Sequence, residues 1–243
     1  MPANDPGTRE AQIVSALGAV RARIAAACAA AGRDPRGVTL VAVTKTYPVT
    51  DVVALARLGV LDVGESKDQE ARSKIAELGR QTDPPADLRW HLVGRLQTNK
   101  ARSVVAYAHA VHSVDRLRLV HALAEAVERE GREPLEVFAQ VSLDGDPARG
   151  GAPVADLDAL VDAVAQRTQL RLRGLMAVPP MGTAADAEFG RLAELAAAVR
   201  ARHPGADALS AGMSADLEAA IANGATHVRV GTALLGRRSP SFS

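Results

Sequence analysis

The residue of this sequence whose position most suggests chemistry is Lys45, which follows an apolar stretch. Residues 38–44 (Val-Thr-Leu-Val-Ala-Val-Thr) are rich in β-branched side chains and predict a strand buried on both faces. The strand is predicted to end at a turn that contains Tyr47 and Pro48. A lysine desolvated at such a strand end loses its proton more easily and can form a Schiff base with a carbonyl compound. A lysine that extends from the strand end into water fits this stretch equally well.

Patterns typical of strands and of helices alternate along the whole sequence, and these elements must position Lys45. After a helix over residues 8–31, we predict eight strands, each followed by a helical segment. The strands are predicted at residues 38–44, 60–63, 88–93, 110–113, 136–142, 171–178, 207–210 and 226–230. Strict alternation of this kind predicts an α/β protein with a parallel sheet, and eight units in this length fit a single closed (β/α)8 barrel of the TIM type. A doubly wound open sheet is the alternative.

The whole chain is predicted to be one domain. Since we find no linker or low-complexity stretch that would divide it, residues 1–243 are assigned to a single barrel with an ordered core over about 8–236. A loose tail is predicted beyond that core. Three polar residues are predicted to cap helices at their N-termini: Thr50, Asp115 and Ser214.

The composition excludes several classes of function. Hydrophobic residues make up 47% of the 243 residues, which is too many for a disordered chain. A net charge of +1 and an aromatic content of 2% provide neither a basic field nor stacking platforms, so we expect no nucleic-acid partner. Cys28 is the single cysteine, so no internal disulfide can form, and we expect a buried structural thiol. His109 and His112 stand three apart on a strand, should point to opposite faces, and therefore predict no metal pair.

Neither a secretory signal nor an apolar run of membrane-spanning length is recognised in the sequence. We therefore expect a cytoplasmic protein without a membrane partner. No exposed apolar stretch indicates an interface, which favours a monomer.

The predicted ends of the seventh and eighth strands carry residues suited to a phosphate. Residues 210–214 (Ser-Ala-Gly-Met-Ser) lead into one helix, and residues 229–232 (Arg-Val-Gly-Thr) lead into another turn. Small residues let backbone amides approach a ligand, and hydroxyl groups can donate to it. Each loop alone is explained by turn and cap formation, but phosphate sites of barrels commonly use these two loops together.

A lysine nucleophile and a phosphate cradle in one barrel suggest two ligands. One is a sugar phosphate held as a Schiff base, as in aldolases, and the other is pyridoxal 5′-phosphate (PLP), an aldehyde that carries a phosphate. Arg229 helps to choose between them. A guanidinium can only donate, so beside a pyridine nitrogen it would keep that nitrogen unprotonated and weaken the electron sink. An arginine that faces a sugar phosphate would instead bind the phosphate itself.

Several motifs resemble those of the PLP homeostasis proteins, formerly called proline-synthase co-transcribed homologues. The resemblance extends from about residue 10 to 237. The segments at residues 91–100 and 210–214 are highly specific in combination. The motifs are Ala42-Val-Thr-Lys-Thr-Tyr-Pro48, Gly64-Glu65, Trp90-His-Leu-Val-Gly-Arg-Leu-Gln-Thr-Asn-Lys100, His112-Ser-Val-Asp115, Arg173-Gly-Leu-Met176, Leu209-Ser-Ala-Gly-Met-Ser214 and Arg229-Val-Gly-Thr232.

This resemblance implies a barrel like the N-terminal domain of alanine racemase (PLP fold type III), with PLP bound as an internal aldimine. By position in the family's motifs, the resemblance implies that Lys45 is the Schiff-base lysine and that Arg229 faces the pyridine nitrogen. It implies that the phosphate is bound by Ser210, Ser214, Gly231 and Thr232. Met213 and His91 would line the pocket, and Ser66 would lie near the exocyclic ring oxygen. Many relatives carry asparagine at the position of Ser66, tyrosine at that of Lys67 and lysine at that of Arg149.

The function that the resemblance implies is intracellular PLP homeostasis: a carrier or regulator of vitamin B6 and amino-acid balance, with apo PLP enzymes as possible recipients. Racemases that share this barrel add a second domain that supplies a catalytic group, and the residues here provide no convincing second acid–base partner for PLP. We therefore expect no clear turnover and assign no catalytic or metal-binding residue. The alternatives are a PLP enzyme such as a slow amino-acid racemase, and a sugar-phosphate aldolase.

Overall fold

A closed barrel of parallel strands forms the protein, as the alternating pattern predicts. The computed structural model describes residues 6–146, 149–180 and 182–236. Within these ranges eight strands pair in chain order, and β1 pairs with β8 to close the barrel. The strands are β1 (Thr39–Val43), β2 (Asp62–Glu65), β3 (Arg89–Leu92), β4 (Ala108–Val114), β5 (Leu135–Gln140), β6 (Leu170–Met176), β7 (Ala208–Ser210) and β8 (His227–Val230).

Helices surround the barrel and connect its strands. They are α1 (Pro6–Ala30), α2 (Val49–Arg57), α3 (Asp68–Leu78), α4 (Ala101–Val105), α5 (Leu117–Glu130), α6 (Leu157–Ala165), α7 (Ala185–Arg202), α8 (Leu217–Ala222) and α9 (Thr232–Leu235). Residues 237–243, which the sequence predicts to be a loose tail, lie outside the described residues.

The extra helix α1 packs against the outside of the barrel where the chain closes. Its buried residues, including Ile13, Leu17 and Cys28, join a core cluster with residues of α8 and α9. The buried thiol confirms the prediction for Cys28. Contrary to the sequence-based expectation, residues 8–30 are long and apolar enough to span a membrane by length and composition alone. The packing of one face of α1 in this core accounts for its apolar residues.

The pairing of β1 with β8 sets which residues meet at the carboxyl end of the barrel. Val41 pairs with Arg229, and Ala42 pairs with Val230. Since parallel strands run in the same direction, the segments after Val43 and after Val230 emerge side by side at one edge. The lysine turn and the loop after β8 are therefore neighbours because the barrel closes.

Some local predictions were wrong in instructive ways. The first turn of α2 follows Pro48, that of α5 follows Arg116 and that of α8 follows Asp216, and none has a side-chain cap bond. The caps predicted at Thr50, Asp115 and Ser214 are thus not formed. Cap assignment from sequence depends on the first helical residue, and here each helix begins at a different residue from the predicted one.

Gly174 marks the tightest backbone approach within the described strands. It pairs with Ala208 across β6 and β7 and has φ of +148°. A Cβ atom placed on Gly174 would lie 1.8 Å from the carbonyl oxygen of Ala208. Only glycine fits this position, both for its dihedral angle and for its space.

We predict that Gly174→Ala destabilises the protein by about 3 kcal/mol or more, because the new methyl group would separate two paired strands. Gly18→Ala is the matched control: Gly18 lies inside α1, and a Cβ there meets nothing within 4 Å. The control should raise stability by about 0.5–1 kcal/mol. Urea unfolding of both variants measures the difference, and equal stability of the two would contradict this account.

Candidate functional site

Lys45 lies at the carboxyl end of the barrel, two residues beyond the end of β1. The strand ends at Val43, Thr44 is fully buried, and Lys45 is exposed in the turn that follows. Of the two alternatives that the sequence left open, the structure therefore has the lysine that extends into water rather than the desolvated one. Its position remains that of a nucleophile open to a ligand at the carboxyl face, where active sites of such barrels lie.

The turn that carries Lys45 is strained. Thr46 has φ of +72°, a left-handed conformation that is unfavourable for a β-branched residue. Such a residue costs about 1–3 kcal/mol, which surrounding contacts must offset. Two contacts do so: the N–H of Thr46 donates to the Glu70 carboxylate, and the N–H of Tyr47 donates to the carbonyl of Thr44 at 3.0 Å. Glu70 of α3 therefore helps to fix the backbone conformation of the turn that carries Lys45.

A buried ion-pair cluster supports this turn from below. The Nζ atom of Lys74 donates to Glu65 Oε1 at 2.6 Å, to Glu70 Oε1 at 2.9 Å and to the carbonyl oxygen of Thr44 at 2.7 Å. The hydroxyl of Thr44 also donates to Glu65 Oε1, at 2.6 Å. Burial raises the pKa of Glu65, against the hydrogen bonds from Lys74 and Thr44. Glu65 therefore anchors the turn and the end of β2 together.

The loops after β7 and β8 meet through Ser214. Its hydroxyl accepts a hydrogen bond from the N–H of Ala233 at 3.1 Å. Between the two loops, Gly231 lies so close to β1 that a Cβ would be 3.2 Å from the Val43 carbonyl oxygen. Thr232 and Met213 are exposed beside them. The structure therefore brings these four predicted site residues and Lys45 to one face of the barrel.

Arg229 is buried under that face. Its Nη1 donates to Ser210 Oγ at 2.6 Å, and its Nη2 donates to the carbonyl oxygen of Ala177 at 3.0 Å. Because Ser210 ends β7 and Ala177 follows β6, the guanidinium lies near the carboxyl end of both strands. Burial lowers the pKa of Arg229 to about 10, although the charge of Asp216 opposes this shift. A guanidinium at this pKa stays cationic at neutral pH.

Ser210, which the resemblance places at the phosphate, lies inside the barrel at the end of β7. Ser210 is fully buried, and its hydroxyl is engaged by Arg229 and by His112 Nδ1, the latter at 2.8 Å. Its hydroxyl therefore has a partner on each side inside the barrel. Ser214, Gly231 and Thr232 lie in the loops at the carboxyl face.

His91 also lies inside the barrel rather than along the carboxyl face. Its Nδ1 is 2.9 Å from His112 Nε2, and its Nε2 is 2.9 Å from Asp62 Oδ1. Asp62 begins β2 and accepts two hydrogen bonds from Arg89, at 2.7 and 2.6 Å. Although burial opposes ionisation of Asp62, the bonds from Arg89 and His91 hold its pKa well below the usual range. A polar column thus extends from the amino-terminal to the carboxyl end of the barrel.

Sequence reasoning missed Asp62 and assigned His112 no role. The signal available was a polar residue within an otherwise apolar strand, as at Asp62, His91, His112 and Ser210, which predicts hydrogen-bonded partners inside the barrel. The rings of His109 and His112 both contact that of His91, with centroids 5.6 and 5.1 Å away. The expectation that they face opposite sides is wrong because the pairing of β4 with β3 shifts: Trp90 pairs with Ala108 and His91 with Ala110, which inserts His109 as an extra residue and breaks the alternation. The described residues form no group that could hold a metal ion.

The remaining predicted residues frame the carboxyl face. A Cβ on Gly94 would lie 2.2 Å from the Ser66 carbonyl oxygen, so this glycine lets the loops after β2 and β3 pack together. Lys67 is exposed next to Ser66. Arg149 pairs with Asp144 at 3.0 Å and donates to the Pro179 carbonyl at 3.1 Å, which joins the loops after β5 and β6.

A groove of about 400 Å³ opens at the opposite, amino-terminal end of the barrel. Its walls include Ile24 of α1, Leu40 of β1 and Asp62 of β2. Lys45, Ser214 and Gly231 do not line it, so its volume gives no reason to place the lysine chemistry there.

The chain matches the family model described as the alanine racemase N-terminal domain over residues 16–239. It is 47% identical to the pyridoxal phosphate homeostasis protein of Mycobacterium tuberculosis (strain H37Rv), over 95% of this chain and 94% of the relative. It is 45% identical to the protein of the same name from Pseudomonas aeruginosa (strain PAO1), over 93% and 96%. These matches cover nearly the whole barrel.

A solved structure is similar over the same extent. The structure of PipY from Synechococcus elongatus PCC7942, with PLP bound, superposes with a TM-score of 0.80 at 35% identity. The match covers 92% of this chain and 100% of that chain. The family model, the curated relatives and this solved structure therefore all match the chain over nearly its whole length.

We predict that Lys74→Met destabilises the protein by about 3–5 kcal/mol, because it leaves the buried Glu65 carboxylate without its cation. Arg129→Met is the control, since Arg129 forms an ion pair with Glu125 on the surface at the i, i+4 spacing that Lys74 has with Glu70. Its loss should cost less than about 1 kcal/mol. Urea unfolding at neutral pH compares the variants, and a similar small cost for both would show that the Lys74 cluster does not support the turn.

We predict that His227 makes stability depend on pH between about 6.5 and 4. Burial is the main cause that lowers the pKa of His227, to about 4. In this window the unfolded chain binds a proton that the folded protein does not, so stability falls as pH decreases, by about 3 kcal/mol at about 1.4 kcal/mol per pKa unit. His227→Gln should flatten the profile by that amount in chemical denaturation at several pH values. The exposed His121→Gln should leave it unchanged; an unaltered profile for His227→Gln would refute the prediction.

Proposed function

This chain belongs to the family of pyridoxal phosphate homeostasis proteins, and on that premise we propose that it binds PLP at the carboxyl face of its barrel and acts in PLP homeostasis. The observation that carries the proposal is the juxtaposition produced by barrel closure. An exposed lysine follows β1, and a glycine and hydroxyl cradle follows the adjacent β8. The relatives at 45–47% identity carry the name, and PipY has been solved with the cofactor.

The residues present at this face fit the three functional groups of PLP. The amine of Lys45 is suited to hold the aldehyde carbon covalently. The hydroxyls of Ser214 and Thr232 and the backbone beside Gly231 are suited to the phosphate, because no side chain at position 231 blocks its approach. The buried guanidinium of Arg229 is a donor suited to the pyridine nitrogen, which has a lone pair. Met213 and Ser66 are suited to border the ring.

The role proposed for Arg229 favours a protein that binds and carries PLP over one that uses PLP to catalyse a reaction. When bound, PLP supplies an electron sink, which works best with a protonated ring nitrogen. A guanidinium that only donates keeps that nitrogen unprotonated. The hydroxyl of Tyr47 donates to the carbonyl of Gly236, which ties the nearest tyrosine to the end of α9. We infer a carrier or regulator of vitamin B6 rather than an efficient catalyst.

Further parts of the proposal concern partners and location. A carrier that holds PLP through one covalent bond and an open face could release it to apo PLP enzymes, which we propose as recipients. We also propose that the protein is a single-domain monomer of the cytoplasm. The packing of α1 against α8 and α9 supports a helix that belongs to the barrel rather than to a membrane.

The first test exploits the scarcity of amines, since the sequence contains only four lysines. The purified protein is incubated with PLP, reduced with borohydride and mapped by peptide mass spectrometry. We expect a visible absorption band before reduction and a pyridoxyl group on Lys45 afterwards. Lys45→Ala should reduce labelling at least 10-fold.

Lys67→Ala is the matched control, because Lys67 is also exposed and follows the adjacent strand β2. It should label as the unmodified protein does. A pyridoxyl group on Lys67 or Lys100 would reject Lys45 as the anchor, and a colourless, unlabelled protein would reject PLP binding. Exchange of the α-proton of added amino acids at a catalytic rate would replace the carrier role with an enzymatic one.

A further inference from the structure

The polar column inside the barrel has a direction that is fixed by its two ends. At the carboxyl end the guanidinium of Arg229 can only donate a hydrogen bond. At the amino-terminal end the carboxylate of Asp62, whose pKa is depressed, can only accept. The three groups between them can pass one donor–acceptor order from Arg229 to Asp62 without a break.

That order assigns a tautomer to each histidine. Because Ser210 Oγ accepts from Arg229, its own proton can be donated to His112 Nδ1. A neutral His112 then carries its proton on Nε2 and donates to His91 Nδ1. His91 in turn carries its proton on Nε2 and donates to Asp62 Oδ1. Every donor in the column has an acceptor when both rings are neutral and protonated at Nε2.

The surroundings keep His112 neutral. It is fully buried, and burial lowers its pKa well below the usual value. The cationic Arg229 faces it on one side, and its charge opposes a second charge on His112, as would protonation of His91, His109 or His227. The ring of His112 is also stacked on that of Phe138, with centroids 4.3 Å apart, which fixes its plane.

We propose that Ser210, His112, His91 and Asp62 are positioning residues for Arg229, and that the column they form holds its guanidinium as a fixed donor to the ring nitrogen of PLP. The inference rests on the proposed function, because it takes PLP as the ligand. It assigns a purpose to four buried polar groups, of which three cannot touch a ligand at the carboxyl face.

The need for such a column follows from the burial of Arg229. Among the described residues, no carboxylate forms an ion pair with Arg229. Its bonds to Ser210 and Ala177 use two of its five N–H donors. A carboxylate paired with Arg229 would compete with a ligand for the remaining donors. The charge of Asp216 acts on Arg229 without such a pair, and the column holds the guanidinium through Ser210 without occupying those donors.

The first experiment tests the column without PLP. Long-range ¹H–¹⁵N correlation spectra of the PLP-free protein identify the protonated nitrogen of each histidine ring. We expect His91 and His112 both neutral and protonated at Nε2. A proton on Nδ1 of His112 would reverse the order of the column and overturn the inference, whatever the protein binds.

The second experiment tests the effect on the ligand with ¹⁵N-labelled PLP. His112→Phe keeps a ring beside Phe138 but removes both hydrogen bonds, and we expect PLP affinity to fall at least 10-fold and the pyridine ¹⁵N resonance to move. Asp62→Asn, at the far end, should shift the same resonance in the same direction. His227→Gln is the control, since its ring lies 6.1 Å from that of His112 but outside the column, and should change affinity less than twofold.

The outcomes separate this inference from the proposed function. An unchanged pyridine resonance in both His112→Phe and Asp62→Asn, with PLP still bound to Lys45, would overturn the column alone. A shift in Ser210→Ala without one in His112→Phe would mean that Ser210 contacts PLP directly, which also overturns the column. Failure of the unmodified protein to bind PLP would overturn the proposed function together with the ligand half of the inference. The tautomers measured in the PLP-free protein would still show whether the column has the proposed donor–acceptor order.

Discussion

The pairing of β1 with β8 is the contact on which the site depends. Before the barrel closes, Lys45 and Gly231 are separated by most of the chain. The register that places Val41 beside Arg229 makes them neighbours at one edge. An open sheet built from the same units would leave β1 and β8 at separate positions, and the amine would have no phosphate cradle next to it. Closure therefore creates the site as well as the core.

Closure also requires that every polar group inside the barrel be satisfied. A barrel of this size is filled by side chains, and the interior here combines the small apolar cluster of Ala110, Phe138, Met176 and Ala208 with the polar column. Buried polar groups left without partners would cost several kcal/mol each. The column gives Ser210, His112 and His91 a hydrogen-bond partner on each side, with a cation at one end and an anion at the other.

The sequence was informative where the pattern was periodic. Eight alternating units, the helix α1 and the buried Cys28 follow from apolar spacing, which reports local structure directly. The burial of Ser210 and His91 could not be read in this way, because a motif shows which residues recur together and not which of them face the ligand. Nor could the partner of Glu65, since Lys74 reaches it from the next helix, nine residues further along the chain. The left-handed Thr46 was unexpected because sequence propensity alone argues against it.

The distribution of amines has a consequence for selectivity. Lysine and arginine together number 29, yet only four are lysine, and one of the four, Lys74, is enclosed by Glu65, Glu70 and the Thr44 carbonyl. Guanidinium groups do not condense readily with aldehydes, so a reactive aldehyde finds few competing sites on the surface of this molecule. Most of the positive charge of the chain is therefore carried by arginine, and few surface amines are left to form non-specific adducts with an aldehyde. Its loading with an aldehyde ligand should approach one equivalent without a tightly shielded pocket.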